Sequence, residues 1–314
     1  MALLRYLRQY RIGDMVELLR NERTPPAEWD GRLDGKTVVI TGTTSGIGLE
    51  AARLFAARGA DLVCLNRDPG KSAALEEELW QGHGRTVRTI LTDFSSLERT
   101  RAAALELLSL DKVPDALVLN AGVYYKRLTP SPEGPDIVFQ VNHLAPFMLL
   151  YLLKEKLRAG PGTRVVFVNS EGHRFALGGI RLDDLDWKRR RYTGFKSYGA
   201  SKTAQLLCMR RFADYFSGSA TTVNAMHPGN VATNIGNNND AAYRAMKKAM
   251  VQPTAKDPRE SAKALLWLVG SPGLAGTSGR FYNMTAEERP APHARDDGAV
   301  GGVWAKSLEL CGLS

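Results

Sequence analysis

Tyr198 stands four residues before Lys202 in the stretch FKSYGASK, 195–202. On a helix, that spacing puts the phenol and the ammonium on one face. A free phenol, with a pKa of about 10, is a poor proton donor or acceptor at neutral pH, and a nearby positive charge favours the phenolate. The pair would suit proton transfer at an oxygen atom. A solvated helix face meets the same spacing equally well, so the meaning of the pair rests on what else the chain carries.

Two further polar residues fall where they could join it. Ser170 closes the apolar run TRVVFVNS, and Asn142 lies in VNHLAPF. Taken singly, the serine could cap a turn and the asparagine could bond backbone inside a helix. A second group points to a phosphate-bearing ligand. In TGTTSGIG, 41–48, Gly42, Gly46 and Gly48 sit between a β-branched run and a helical pattern. That order suits a tight turn, close backbone approach to a pyrophosphate, and close helix–strand packing. The helix N-terminus adds N–H donors and a positive dipole end. About 20 residues on, an acid would take a ribose 2′-hydroxyl. The chain has Asn66-Arg67 there, and an arginine can pair with a 2′-phosphate, which favours NADP(H) over NAD(H). Asp68 follows directly and argues the other way. Asp93 could accept from an adenine amino group, and the small residues of NAG, 120–122, leave room for a ribose.

These residues need a scaffold that gathers strand ends. From residue 36 the chain alternates short apolar β-branched runs (KTVVITG, DLVCLNR, TVRTILTD, DALVLNAG, TRVVFVNS, TTVNAMHPG) with helical patterns, and GRFYN adds a seventh run. DIVFQVNHLAPFMLLYLLKEKL reads as one long helix interrupted at Pro146. Strict alternation with continuous apolar strands predicts an α/β fold, a doubly wound, mostly parallel sheet of about seven strands in a single domain over 33–314. Such a sheet binds ligands outside the carboxyl ends of its strands, where the residues above fall.

The 44% hydrophobic and 24% charged residues of this 314-residue chain suffice for a large core. The net charge of +9 is spread singly apart from KRRR, 188–191, without aromatic interleaving, which argues against a nucleic-acid surface. Cys64, Cys208 and Cys311 are odd in number and far apart, without metal-type spacing, and fit a reducing, cytoplasmic compartment. The longest uninterrupted apolar run, FMLLYLL at 147–153, is far short of a bilayer span. Residues 1–32 form a separate helical arm. Arg5, Arg8 and Arg11 mark its first segment, and Asp14 with Glu17 reads as the N-cap and N3 of a second helix ending before Pro25. The arm either packs on the domain or a partner subunit, the favoured reading, or touches a membrane peripherally.

Taken together, TGTTSGIG, NAG, VN at 141–142, Ser170, YGASK and HPGNVAT resemble, in order and context, the short-chain dehydrogenase/reductase family over about 36–285. VNHLAPF, IRLDDLDWKRRRYTGFKSYGASK and GRFYN with the tail VWAKSLELCGL are similar to its retinol-dehydrogenase-like branch, non-extended type. The resemblance implies a Rossmann fold and an oxidoreductase using NADP(H), with NAD(H) second. It implies Tyr198 as acid/base, Ser170 as donor to the substrate oxygen, and Lys202 as the group that lowers the tyrosine pKa and binds nicotinamide-ribose hydroxyls. It implies Asn142 as holder of a relay water and Thr233 as contact to the nicotinamide carboxamide. Gly42, Ser45, Gly46, Ile47 and Gly48 match the cofactor loop, and Arg67, Asp93 and Asn120 the adenosine end. Leu119 and Asn169 depart from residues frequent in the family.

The expectation is therefore interconversion of an alcohol with an aldehyde or ketone, the small-molecule substrate being lipophilic by resemblance alone. Double-bond reduction on the same scaffold and a non-catalytic NADP-binding sensor are the competing readings. The segment 234–257, rich in Asn and Gly and then carrying Tyr243, Met246 and Met250 on one helical stripe, is expected to cover the substrate as a lid or to pack as a static helix.

Overall fold

The computed structural model describes residues 2–231, 235–236, 239–240 and 255–313. Thr233 and most of the expected lid lie outside the described residues.

The alternation reads out as β1 (Thr37–Thr41), α3 (Gly46–Ala57), β2 (Asp61–Asn66), α4 (Pro69–His83), β3 (Val87–Leu91), α5 (Leu97–Leu108) and β4 (Ala116–Leu119), after two N-terminal helices, α1 (Ala2–Leu7) and α2 (Ile12–Arg23). A long helix α6 (Ile137–Ala159), β5 (Arg164–Val168), α7 (Gly194–Tyr215), β6 (Thr222–His227), α8 (Pro258–Gly270), β7 (Phe281–Asn283), β8 (Ala286–Glu287) and α9 (Asp297–Cys311) follow. The sheet order is β3-β2-β1-β4-β5-β6-β7-β8, parallel throughout except that β8 runs antiparallel to β7. The eighth strand was not expected. It is two residues long and starts at Ala286, too short to carry a periodic signal.

Strand residues alternate between two cores, one on each face of the sheet. In β1, Val38 and Ile40 pack with Phe55 of α3 and Leu265 of α8, while Val39 joins Phe147, Phe212 and Phe281 on the other side. Burial on both faces explains why the strands are apolar without a break.

α6 is more continuous than Pro146 suggested. The proline follows a π-helical turn, Gln140–Leu144, and the helix runs on to Ala159. With 23 residues, α6 is long and apolar enough to span a bilayer by composition, contrary to the sequence expectation. Its apolar window is 83% buried within the protein, as a core helix requires.

The arm lies against the C-terminal tail. Tyr6 donates to Asp296 (2.6 Å), and Asn21 donates to Glu288 (3.2 Å). Buried Asp14 faces Arg289 at 3.6 Å and Arg295 at 3.9 Å. Asp14 is not the N-cap: α2 begins two residues earlier behind Arg11, and Asp14 occupies N3, accepting from the Arg11 N–H (3.3 Å). Leu3, Leu4, Leu7, Val16 and Leu19 of the arm remain exposed.

Candidate active site

The glycine loop joins β1 to α3. Gly42 and Gly46 have φ of +75° and +58°, the left-handed region that other residues avoid. At Gly48 the constraint is space: a Cβ would lie 2.1 Å from the Gly42 carbonyl oxygen and 2.5 Å from the Asn120 amide nitrogen. Ser45 is the N-cap of α3 but makes no side-chain capping bond, so no side chain occupies the first-turn N–H groups. Ile47 is buried in the core below and seats the helix start. A helix N-terminus without a side-chain cap from Ser45, behind a glycine-bearing loop, fits a pyrophosphate, and these residues would hold it.

Two asparagines fasten this loop. Asn120 donates to the carbonyls of Thr41 (2.9 Å) and Gly42 (3.1 Å), while its own N–H and that of Ala121 donate to the Thr41 hydroxyl (both 2.9 Å). Asn66 accepts from the Thr43 N–H (2.8 Å) and donates to the Thr43 hydroxyl (2.8 Å). Asn120 thus spends its amide on shaping the loop at the end of β4. Arg67 is exposed at the end of β2, 4.0 Å from the Asp93 carboxylate. Asp93 also accepts from the Ser95 N–H (2.9 Å). Asp68 is committed elsewhere: it caps α4, accepting from the Lys71 N–H (3.0 Å).

Ser170, Tyr198, Lys202 and Asn142 come together on the same rim, from β5, α7 and α6. The Ser170 hydroxyl accepts from the Gly172 N–H (2.9 Å) at the head of a 3-10 turn, Glu171–Phe175, and borders Gly172 together with the Tyr198 ring. Gly172 is obligatory for another reason: a Cβ there would stand 2.6 Å from the Tyr198 ring. That ring also meets Tyr124 edge-on, centroids 5.9 Å apart. Tyr124 in turn touches Phe195, which touches Phe175, and both phenylalanines are at least half exposed.

Lys202 is buried behind the tyrosine, its ammonium 5.7 Å from the ring centroid. It donates to the Val168 carbonyl (2.8 Å) and to Gln205 Oε1 (3.3 Å). Burial lowers its pKa to about 7, since an ammonium is costly to desolvate. Burial likewise pushes the Tyr198 phenol up to about 12, against a smaller lowering by the neighbouring Ser170 hydroxyl. The expected lowering of the phenol by Lys202 is not seen here: desolvation dominates both groups, and the ammonium is turned to backbone.

Asn142 lies in the π-helical turn. Its amide accepts from the Val123 N–H (2.7 Å) and donates to the Val123 carbonyl (3.0 Å) and the Ser201 hydroxyl (3.2 Å). Pro146 has no N–H to offer the carbonyl four residues back, that of Asn142. The freed oxygen takes the Gln205 amide instead. Gln205 thereby connects Asn142 to Lys202, and Asn169 donates to it (2.8 Å) and to the Lys202 carbonyl (3.0 Å). The sequence reading missed both roles. Gln205 was findable, three residues after Lys202 on the same helix face. Gly172 and Tyr124 gave no signal, because only the folded turn shows what they touch.

The described part of the 234–257 segment reaches this site. Buried Asn239 accepts from the Lys126 N–H (2.6 Å) and donates to the Tyr124 carbonyl (3.0 Å).

Comparison with known proteins agrees with this geometry. The family described as short chain dehydrogenase matches residues 36–179. Human Retinol dehydrogenase 13 is 31% identical over 289 residues, covering 90% of this chain and 86% of that protein. A Streptomyces sp. (strain C5) protein named as a daunorubicin C-13 ketoreductase is 32% identical over 288 residues, covering 90% and 94%. Among solved structures, an Escherichia coli CFT073 protein described as a short chain dehydrogenase, in complex with NADPH, is 25% identical with a TM-score of 0.63, covering 80% of this chain and 97% of that one. The chain belongs to the short-chain dehydrogenase/reductase family, in its retinol-dehydrogenase-like branch, and is an NAD(P)-dependent oxidoreductase acting on CH–OH groups.

Proposed function

We propose that the protein interconverts a lipophilic alcohol and its aldehyde or ketone with NADP(H), using Tyr198 as the acid/base. The observation that carries this reading is the close approach of the Ser170 hydroxyl and the Tyr198 ring around Gly172, with the Lys202 ammonium buried behind them. Bound NADPH would supply the hydride. The protein's own part is to receive the charge that builds on the carbonyl oxygen. Ser170 Oγ already accepts from Gly172, so its hydrogen is free to be donated to that oxygen. The phenol, with its pKa at about 12, is held protonated, the form that can deliver a proton to an alkoxide. Lys202, whose pKa burial lowers, supplies a positive field when protonated and donors toward a ribose. The exposed rings of Phe175 and Phe195 beside Tyr124 and Tyr198 favour an apolar substrate. The named activity of the Streptomyces relative supports a carbonyl over an isolated double bond. Following NADPH oxidation against panels of aldehydes, ketones and enones tests the reading. Turnover confined to the double bond of enones, or none on any panel, would overturn it.

Preference for NADP(H) rests on Arg67, exposed beside the loop, and on Asp68, whose carboxylate is occupied as a helix cap. Arg67→Ala is expected to weaken NADPH binding about ten- to a hundredfold, as for one lost charge-assisted pair, and to leave NADH nearly unchanged. Equal weakening of both cofactors would remove Arg67 from the 2′-phosphate.

Lys202 makes cofactor binding proton-linked. Its pKa is about 7 in the protein, and anionic phosphates together with ribose hydroxyls favour the ammonium, raising that value in the complex. Between the two values binding takes up a proton, so NADPH affinity falls as pH rises above 7. Calorimetry at about pH 8 in buffers of different ionisation enthalpy should register this uptake, and Lys202→Met should abolish it. The same heat in every buffer for the unmodified protein would show that Lys202 does not face the cofactor.

A further inference from the structure

We propose that His173 is a positioning residue for Ser170, locking the turn that aims the serine and fastening it to the C-terminal segment beyond β8. The inference rests on the reading of Ser170 as donor to the substrate oxygen.

The His173 side chain is completely buried. Its Nε2 accepts from the Ala291 N–H at 3.0 Å, so Nε2 carries no hydrogen. Burial holds its pKa well below the ordinary histidine value, and the ring is neutral. The single ring proton is therefore on Nδ1, which donates to the Ser170 carbonyl at 2.8 Å. The backbone N–H of His173 donates to the same carbonyl at 3.1 Å. One residue thus binds Ser170 twice. Its own carbonyl accepts from the His293 ring (2.9 Å) and from the Thr203 hydroxyl of α7 (3.2 Å). Its ring meets Phe281 of β7 edge-on, centroids 5.3 Å apart. The next residue, Arg174, is paired with Glu171 and with Glu288 (2.9 Å). The turn carrying the serine is held from the sheet, from the helix of Tyr198 and from the tail at once. Histidine suits the position because it offers a donor on one side and an acceptor on the other while staying neutral in a dry site.

A buried histidine that merely docks the tail would make the same contacts, and two replacements separate the cases. Asparagine can place a donor where Nδ1 stands and cannot reach Ala291. Glutamine can place an acceptor where Nε2 stands and loses the bond to Ser170. His173→Gln is expected to lower kcat about tenfold with NADPH affinity and Tm nearly unchanged, as for one lost hydrogen bond on the serine turn. His173→Asn should recover most of kcat at a lower Tm. In a Ser170→Ala background, His173→Gln should cost nothing further, because its effect runs through the serine. The same loss in both backgrounds, or an unchanged kcat in His173→Gln, would overturn the proposal. Full turnover in Ser170→Ala alone would instead overturn the reading of Ser170, and this inference with it. Should His173→Gln not fold, His173→Asn alone serves: it keeps a donor toward the Ser170 carbonyl and gives up the bond to Ala291, so kcat near that of the unmodified protein is expected at a lower Tm, and a tenfold loss of kcat would overturn the proposal.

Discussion

Tyr198→Phe is expected to lower the turnover of carbonyl reduction about a hundred- to ten-thousandfold, the usual worth of a positioned proton donor, while NADPH binds nearly as before. The substitution removes one oxygen. The ring keeps its contacts with Gly172 and with Tyr124, so the packing of α7 against the serine turn survives. Lys202 keeps its bonds to Val168 and Gln205, and the glycine loop is untouched. What disappears is the group placed beside the Ser170 hydroxyl to give up a proton as negative charge forms. Ser170 would still donate to the substrate oxygen, so a residual rate above the uncatalysed one is expected. Steady-state turnover with NADPH alongside a fluorescence titration of the cofactor checks both halves. Turnover near that of the unmodified protein would take Tyr198 out of the proton step. Loss of NADPH binding in parallel with turnover would mean that the phenol holds the cofactor and does not act on the substrate.

What could be read from the sequence follows the range of the interactions. The β-branched runs fixed by burial on both faces were legible, since their apolar character is a property of consecutive residues. Gly42, Gly46 and Gly48 were legible because a loop that turns tightly and admits a close approach leaves no other residue type. Tyr198 and Lys202 were legible as a helical pair, yet their electrostatics were not: the lysine was expected to govern the phenol, and burial governs both. Desolvation depends on everything packed around a group, which spacing does not reveal. Asn120 was assigned to the adenosine end by resemblance, and its amide goes to the carbonyls of Thr41 and Gly42. The interruption expected at Pro146 is not found, since α6 runs through the proline to Ala159. That the proline frees the Asn142 carbonyl for Gln205, 63 residues away, needs the fold. Asp68 left the cofactor choice divided, and in the fold its carboxylate caps α4. The capping signal, Asp followed by Pro at the first helical position, was present in the sequence all along.

Gly172→Ala is expected to cost about a hundredfold in turnover, with the cofactor still bound and the fold retained. A Cβ at this position would lie 2.6 and 2.8 Å from two carbons of the Tyr198 ring and 3.2 Å from Ser170 Oγ. The ring also packs edge-on against Tyr124, which restricts where it can move. Either the phenol tips away from the substrate or the turn lifts and takes the serine hydroxyl with it. Each moves a reacting group by a fraction of an ångström to about 1 Å, a displacement that can cost about two orders of magnitude in rate. The overlap involves side chains at the rim and not the strand itself, so destabilisation should be modest, about 1–3 kcal/mol as for one misplaced methyl group. The background variant identifies the cause. If the added methyl acts by displacing the phenol, Gly172→Ala should lose most of its effect on turnover in a Tyr198→Phe protein, where no phenolic proton remains to be misdirected. A full hundredfold loss in both backgrounds would assign the damage to Ser170 and its turn. Turnover unaffected in the single variant would show that the ring has room to yield, and that the close contact at Gly172 does not position the tyrosine.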